Sequence, residues 1–402
     1  MAELAAPVDV EPEPRPAPQP AIPPAPAVRR SVSDLGIAGM AVAAGLGAWW
    51  AHPVPLLPVA AVIGVAWSVR RAPLLWLGVF LLTSLLGARS LAGLRPPAAA
   101  PFSGVVTLVA DPVDQPYGVR VDVRAGHHRF ELDATGSAVG AVSRALAGEQ
   151  LRVTGQVAPA SSAPWLVPRH VVGRLSVRSA EAAGDGSWPW RAANRLRRLL
   201  DRGVAGLPAD DGALFRGFVL GDDRGQSAGV VDDFRASGLT HLLVVSGENV
   251  AFVLVVLAPF SRRLRWGARW AVTVGVVLAF ALLTRFEPSV LRASAMVGLS
   301  VTAALLGRSA SPRRILALAV VGLLLVDPLL VRSVGFQLSV GASAGIVLLA
   351  RRISSWLPGP RPLTELVAVT LAAQAGIAPI QIPLFGGIPV VSVATNPLAV
   401  PV

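Results

Sequence analysis

The sequence predicts a polytopic α-helical membrane protein of about ten spans, with a small β-barrel domain inserted after the third. Three observations predict that class. Only 15% of the 402 residues are charged and 53% are hydrophobic, with mean hydropathy +0.59, whereas soluble domains carry roughly 25% charge. Apolar runs near the ~20 residues needed to cross a bilayer recur along the chain. Between the first three runs and the remainder lies a polar block with period-two alternation.

Residues 1–30, "MAELAAPVDVEPEPRPAPQPAIPPAPAVRR", are rich in Pro and Ala with scattered acids. Such a stretch buries too little apolar surface to fold, so a disordered cytoplasmic tail is expected. It lacks the basic start of a signal peptide. Residues 31–97 hold three spans, at 35–51, 55–69 and 73–94. The block 101–180 contains "GVVTLVA", "GVRVDVR", "HRFELDA", "EQLRVTGQV" and "HVVGRLSV", separated by Gly, Pro and Asp. These read as five strands, which suit an OB-like barrel.

Residues 181–236 supply an amphipathic basic helix and a linker. In "WPWRAANRLRRLLDRGVAGL", Leu196, Leu199, Leu200 and Val204 form an apolar stripe, with Arg191, Arg195, Arg198 and Arg202 over much of the rest. That is the pattern of a helix lying on a membrane surface. From 237 to 402 the apolar runs resume, at 239–260, 269–285, 289–306, 315–331, 334–350, 364–385 and 388–402.

Net charge is +12, carried by Arg, since no Lys occurs. Its distribution matters more than its size. With the N-terminus in the cytoplasm, the inner flanks gather the arginines of 29–30, 70–71, 262–269, 308–314 and 351–361. The outer flanks hold Arg89, Arg95, Arg235, Arg285 and Arg332. The positive-inside rule therefore places the β domain outside a cytoplasmic membrane. Within 101–180, eight Arg face six Asp and Glu, so bulk charge does not make that domain a polyanion trap. A local patch with Tyr117, Arg120, Arg124 and Arg129 is the candidate for DNA contact there.

The segment "GLTHLLVVSGENVAFVLVVLAPF", 238–260, is long enough to span yet contains His241, Ser246, Glu248 and Asn249. Drawn as one helix, these four occupy about 160° of one side. Lipid satisfies none of them, so they either line a wet path or bond to polar groups on other helices. Similar residues follow: Arg292, which either snorkels or faces inward, then Gln337, Gln374 and Asn396. Pro379 and Pro383 are expected to break the helix around 374–385.

The ordered motifs "SGLTHLLVVSG", "PSVLRA", "DPLLVRSVGFQLSVGASAGI", "AQAGIAPIQIPLF" and "NPLAVP" resemble the ComEC family of competence proteins. The resemblance implies an inner-membrane channel of natural transformation, with 237–402 as an incomplete competence-type multi-span domain. It implies that His241, Ser246, Gly247, Arg292, Gln337, Gln374 and Asn396 occupy the family's characteristic membrane positions. One departure is clear: the family usually reads Ser-Gly-Leu-His where this chain has Ser246, Gly247, Glu248 and Asn249. The chain is also expected to be truncated before the family's further spans and metallo-β-lactamase-like domain.

No catalytic residue, metal ligand set or cofactor is expected. Cysteine is absent, no phosphate loop occurs, and the five histidines form no metal-binding run. His127 and His128, adjacent on a strand, would point to opposite faces. The implied partners are single-stranded DNA, membrane lipid, a DNA receptor and a cytoplasmic ATPase or helicase, with homo-oligomerisation open. The rival readings are a proton-coupled or other small-solute transporter and an assembly scaffold without a conduit.

Overall fold

The first helix, α1 (Asp34–Trp50), starts where the Ser33 hydroxyl accepts a hydrogen bond from the Gly36 N–H at 3.1 Å. Asp34 adds a carboxylate at the positive end of the helix. The computed structural model describes residues 33–69, 71–160, 163–243, 245, 247–387 and 391–399, with Trp67 and Pro397 by backbone alone. The expected tail at 1–30 lies outside the described residues. Next come α2 (Leu56–Val69) and α3 (Ala72–Ala92). α1 and α3 meet through small residues: a side chain at Gly47 would strike the Phe80 carbonyl, and Trp76 covers Gly39. The Trp76 indole donates to Gly36 O at 2.7 Å. Close backbone approach of this kind holds helices together where dispersion, not water expulsion, supplies the attraction.

The polar block forms β1 (Ala100–Leu108), β2 (Val113–Gln115), β3 (Gly118–Ala125), β4 (His128–Ala134), α4 (Val139–Arg144), β5 (Gln150–Pro159) and β6 (Val171–Gly184). Strand order is β1-β5-β6-β4-β3-β2, and an additional β1–β3 pairing closes the sheet on itself. β4 and β6 run parallel; the other pairs are antiparallel. The alternating valines and leucines explain the closure. Val106, Leu108, Val121, Val123, Leu132, Val153, Leu175 and Val177 fill one core, and Ala138 and Val142 close over it. All five expected strands are present; β2, three residues long, carries no alternation to announce it. His127 sits in the β3–β4 turn and only His128 lies in a strand, which corrects the expectation of adjacent strand positions.

The remaining helices are α5 (Trp188–Gly203), α6 (Ala209–Leu220), α7 (Ala228–Ala236), α8 (Gly247–Ser261), α9 (Trp266–Leu283), α10 (Pro288–Leu305), α11 (Pro312–Val326), α12 (Val334–Ser354), α13 (Arg361–Phe385) and α14 (Ser392–Ala399). Among the described residues, α3, α9, α10, α12 and α13 are long and apolar enough to cross a membrane. α1, α2, α8 and α11 carry other apolar runs but have 14 to 17 residues, about 21–26 Å at 1.5 Å per residue. Of the run expected at 388–402, the described residues 391–399 contain α14, of eight residues. Exposed Val255, Val256, Phe260, Leu278 and Leu348 give these helices a surface that lipid solvates better than water.

Two clusters hold the helices together. Ala44 of α1 packs with Leu316, Val320 and Leu324 of α11 and with Phe336 of α12. Val250, Val277, Ala281, Val290 and Ala293 join α8, α9 and α10. α12 and α13 touch backbone to backbone at Gly341, Gly345 and Gly376. α13 is unbroken despite Pro379 and Pro383, which corrects the expected interruption. Both prolines are exposed, so the carbonyls one turn earlier tilt outward and the helix continues.

A Cβ at Gly345 would lie 2.1 Å from the Ala372 carbonyl oxygen. Gly345→Val is expected to push α12 and α13 apart, at a cost of about 1–3 kcal/mol. A lower thermal midpoint of the detergent-solubilised chain, with Gly275→Val unchanged as the control at an open position, checks this.

Candidate functional site

The segment that reads as one helix at 238–260 is two pieces. Gly238 takes a positive φ of 71° after α7, a 3-10 turn covers Thr240–Leu242, and α8 begins only at Gly247. The helical wheel of 238–260 is therefore corrected. His241 is exposed on the short turn, whereas Glu248 and Asn249 sit half-buried in the first turn of α8. Ser246 lies outside the described residues. The break is stabilised from both sides: Leu243 and Val245 are buried, and the Ser289 hydroxyl of α10 donates to the Val245 carbonyl at 2.6 Å. Position answers why a carboxylate is tolerated at 248, because the first turn of a helix favours negative charge. The Asn249 amide donates to the Phe218 carbonyl in α6.

Arg292 faces inward, which decides between its two sequence readings. Its Nε donates to Ser339 Oγ of α12 at 2.8 Å, and Nη1 lies 3.4 Å from Met296 Sδ. Gly247 makes room for it, since a Cβ there would come within 2.8 Å of Nη2. No carboxylate forms an ion pair with Arg292 among the described residues. The result is a half-buried guanidinium where α8 begins and α10 meets α12.

The other membrane candidates are tied to neighbours. Gln337 Nε2 donates to Val331 O at 2.7 Å, closing the turn Pro328–Arg332 onto α12. The Gln374 amide donates to Ser392 at the start of α14. Asn396 Oδ1 and Gln381 Oε1 are buried without a hydrogen-bond partner among the described residues. Thr395 of α14 donates to Ser237 O at 2.9 Å. Segment 237–247 is thus a seam, touching α14 at one end and Arg292 at the other, while Gln337 and Asn249 bond locally.

Sequence reasoning missed the junction between the β domain and the helices. Asp111, in the β1–β2 loop, accepts from Arg285 at the α9–α10 corner and from Arg197 of α5 at 3.5 Å. It also accepts from the Ala147 N–H at 2.9 Å. Arg197 is 3% exposed, and burial pushes its guanidinium down to about 10, with Asp111 opposing that shift. Burial disfavours the Asp222 anion, but Arg224, bonded through Nε at 2.7 Å, overrides it and holds this carboxyl below its ordinary value. A second tie joins His170 Nε2 to Asp327 Oδ2 at 2.9 Å. In sequence, Arg285 counted only as an outer-flank charge, and nothing local marked Asp111.

The same junction divides the expected apolar stripe of α5 between an exposed and a packed part. Ala193, Asn194 and Arg197 are its buried residues, while Leu196 and Leu199 are exposed. Val204 turns inward and Leu200 packs against the cluster of Ala193, Leu220 and Leu283. Asn194 donates to Ala147 O at 3.0 Å, and Arg197 Nε to Leu283 O at 2.9 Å. Backbone carbonyls of the α4–β5 loop and of the end of α9, together with this small apolar cluster, select the packed face.

On the outer face of β3 and β4 the cross-strand pairs are Arg120 with Asp133, Asp122 with Glu131, and Arg124 with Arg129. The first is complementary, with Nε–Oδ1 2.8 Å. Burial raises the Asp122 carboxyl, and Arg169 bridges the acidic pair, bonding Asp122 at 2.7 Å and Glu131 at 3.3 Å. Arg124 and Arg129 are like charges directly opposite, an unfavourable arrangement by itself. Burial, and then Arg124, lower the Arg129 guanidinium, which donates to Arg169 O at 3.3 Å. Tyr117 is 92% exposed in the β2–β3 turn, roughly 23 Å along β3 from Arg124. The four outer candidates therefore span the length of the strand rather than one spot.

Residues 218–402 match the family model described as Competence protein. The chain is 26% identical over 242 residues to ComE operon protein 3 of Bacillus subtilis (strain 168), covering 59% of this chain and 30% of that protein. It is 31% identical over 226 residues to competence protein ComA of Neisseria gonorrhoeae, 50% of this chain and 32% of ComA. Over 207 residues it is 27% identical to the uncharacterized protein YcaI of Escherichia coli (strain K12), 47% of this chain and 27% of YcaI. The match therefore spans less than a third of each relative's length. No solved structure matches the chain.

Removing one member of a buried ion pair leaves the other charge uncompensated. Asp111→Ala is expected to destabilise the chain by about 3–5 kcal/mol, against about 0–1 kcal/mol for the more exposed Arg120→Ala. Denaturant titration of both variants in the same detergent checks the ranking. Asp222 adds a pH dependence. Its folded pKa is depressed, so its contribution is complete above the unfolded value of about 3.9 and is lost as pH falls through the lower folded value. Asp222→Asn should flatten that acid limb in a pH series of unfolding midpoints.

Proposed function

From residues 218–402, which belong to the ComEC family of competence proteins, we propose that this chain forms part of a conduit for single-stranded DNA across the cytoplasmic membrane. The observation that carries the reading is Arg292. A guanidinium inside the helical domain, unpaired with carboxylate among the described residues, is suited to a passing phosphate. Planar donors bind phosphate oxygens two at a time. The irregular backbone before Gly247 lies beside it, and such backbone at membrane depth belongs against protein or a wet cavity. Ser339, Gln374 and Asn396 add hydroxyl and amide groups on neighbouring elements.

In this reading the N-terminus is cytoplasmic, all the apolar helices lie in or across the membrane, and the β domain is extracytoplasmic. The closed strand order, with β4 parallel to β6, supports an OB-type barrel. OB-type barrels carry single strands on basic and aromatic surfaces, and the like-charged Arg124 and Arg129 are best relieved by an anion. Tyr117 offers an exposed ring at the other end of β3. The chain conducts rather than catalyses. The driving force comes from a partner, an ATPase or helicase on the cytoplasmic side, with a DNA receptor outside and a second copy of the chain as further partners.

Arg292→Gln tests the proposal in cells that depend on this protein for uptake. Transformation is expected to fall by at least roughly tenfold, the loss of one charge-assisted hydrogen bond, with the amount of protein in the membrane unchanged. Normal transformation in Arg292→Gln and Glu248→Gln, with loss of a proton or solute flux, would replace the conduit by a transporter. Single cysteines placed at 241–249 report water access against a chain that has no other thiol. Labelling confined to loops outside this segment would favour a scaffold.

A further inference from the structure

α5 presents two exposed stripes side by side. Arg191, Arg195, Arg198 and Arg202 form one, and Trp188, Leu196 and Leu199 form the other. The helix is fixed at the end of an apolar helix, because Arg197 bonds to the carbonyl of Leu283, the last residue of α9. Where α9 crosses a bilayer, α5 therefore lies at the level of the headgroups. The arginine stripe lines a cavity of about 370 Å³ whose wall is completed by Asn194, Glu149 and Asp185. Arg198 is paired with Glu149, and Arg191 donates to Gly186 O at 2.7 Å. Arg202 donates through Nε to Arg198 O at 3.2 Å. Arg195 makes no ion pair among the described residues. Four guanidinium groups against two carboxylates leave a surplus of positive charge around the cavity.

We infer that this cavity binds the phosphate of an anionic lipid headgroup, with Trp188, Leu196 and Leu199 seated among the acyl chains beside it. The neighbouring stripe selects the lipid. A helix with arginines on one edge and Trp and Leu on the next sits in the interface plane, held by apolar burial and by anionic headgroups. A groove for single-stranded nucleic acid would set several aromatic rings in succession beside its arginines, whereas this stripe has one, Trp188, followed by two leucines. The site anchors α5, and through Arg197 and Asp111 the β domain, to the membrane surface. The inference rests on the membrane reading of α9 and is independent of DNA conduction.

The full chain in nanodiscs of phosphatidylglycerol or phosphatidylcholine tests it. A spin label at Leu199→Cys is expected to show lipid-like oxygen accessibility, as will Leu278→Cys on the exposed face of α9. A water-exposed label at 199 with a lipid-exposed label at 278 overturns the inference alone; water at both overturns the membrane reading. Native mass spectrometry of the detergent-extracted chain should show retained phosphatidylglycerol falling roughly tenfold or more in Arg195→Gln/Arg202→Gln. Unchanged retention overturns the site. Equal displacement of the lipid by inorganic phosphate would make it a free-phosphate site, and loss of oligothymidylate binding with lipid retention intact would assign it to nucleic acid.

Discussion

A buried carboxylate, Asp111, sets the geometry of the molecule. It stands between Arg285 of the helical domain and Arg197 of α5, and it caps the Ala147 N–H within its own domain. Two guanidinium groups and one carboxylate removed from water are tolerable only when every remaining donor has an acceptor. Backbone supplies several of those acceptors here. Arg285 reaches the carbonyls of Leu220 and Gly221, Arg197 reaches Leu283 O, and Arg224 adds its charge at 3.8 Å. The ends of α6 and α9, the loop of a β domain and the middle of α5 are thus held by one shared set of hydrogen bonds. Apolar packing alone would let the β domain slide; directional bonds do not.

Beneath that junction the helices follow another rule. Gly47 against Phe80, and Gly345 against Ala372, place backbone on backbone, because apolar side chains gain little by leaving lipid for one another. Close approach also creates the space that function needs. Gly247 is small enough to admit the Arg292 guanidinium, and the chain before it leaves the helix, its Val245 carbonyl taken by Ser289. The family resemblance and the geometry meet at this point. Arg292 lies against Gly247, and Thr395 of α14 bonds to Ser237, while Gln337 bonds locally.

Charge on one face of the β domain obeys a local balance. Arg120, Arg169 and Arg174 interleave with Asp122, Glu131 and Asp133, so these three basic residues are already neutralised. The acidic pair Asp122 and Glu131 is bridged by Arg169, while Arg124 and Arg129 face each other as like charges. α5 carries the other surplus of positive charge. One surplus lies on the β domain and the other on α5.

The amino-acid sequence by itself determined the membrane-helical class, the five alternating strands and the competence-type motifs. Each depends on a local period or on adjacent residues, and the physics of burial acts on those directly. It also singled out Arg292, Gln337, Gln374 and Asn396, because polar residues inside apolar runs are conspicuous wherever they point. Where they point was decided by tertiary structure. Arg292 turned inward because Gly247 and Ser339, 45 positions before it and 47 after, made room and an acceptor. The segment 238–260 is not one helix: Leu243 and Val245 are buried, and Ser289 of α10 takes the Val245 carbonyl. α5 packs through Asn194 and Arg197 because carbonyls from 147 and 283 meet them. None of these partners is near in sequence, so no periodicity could have disclosed them.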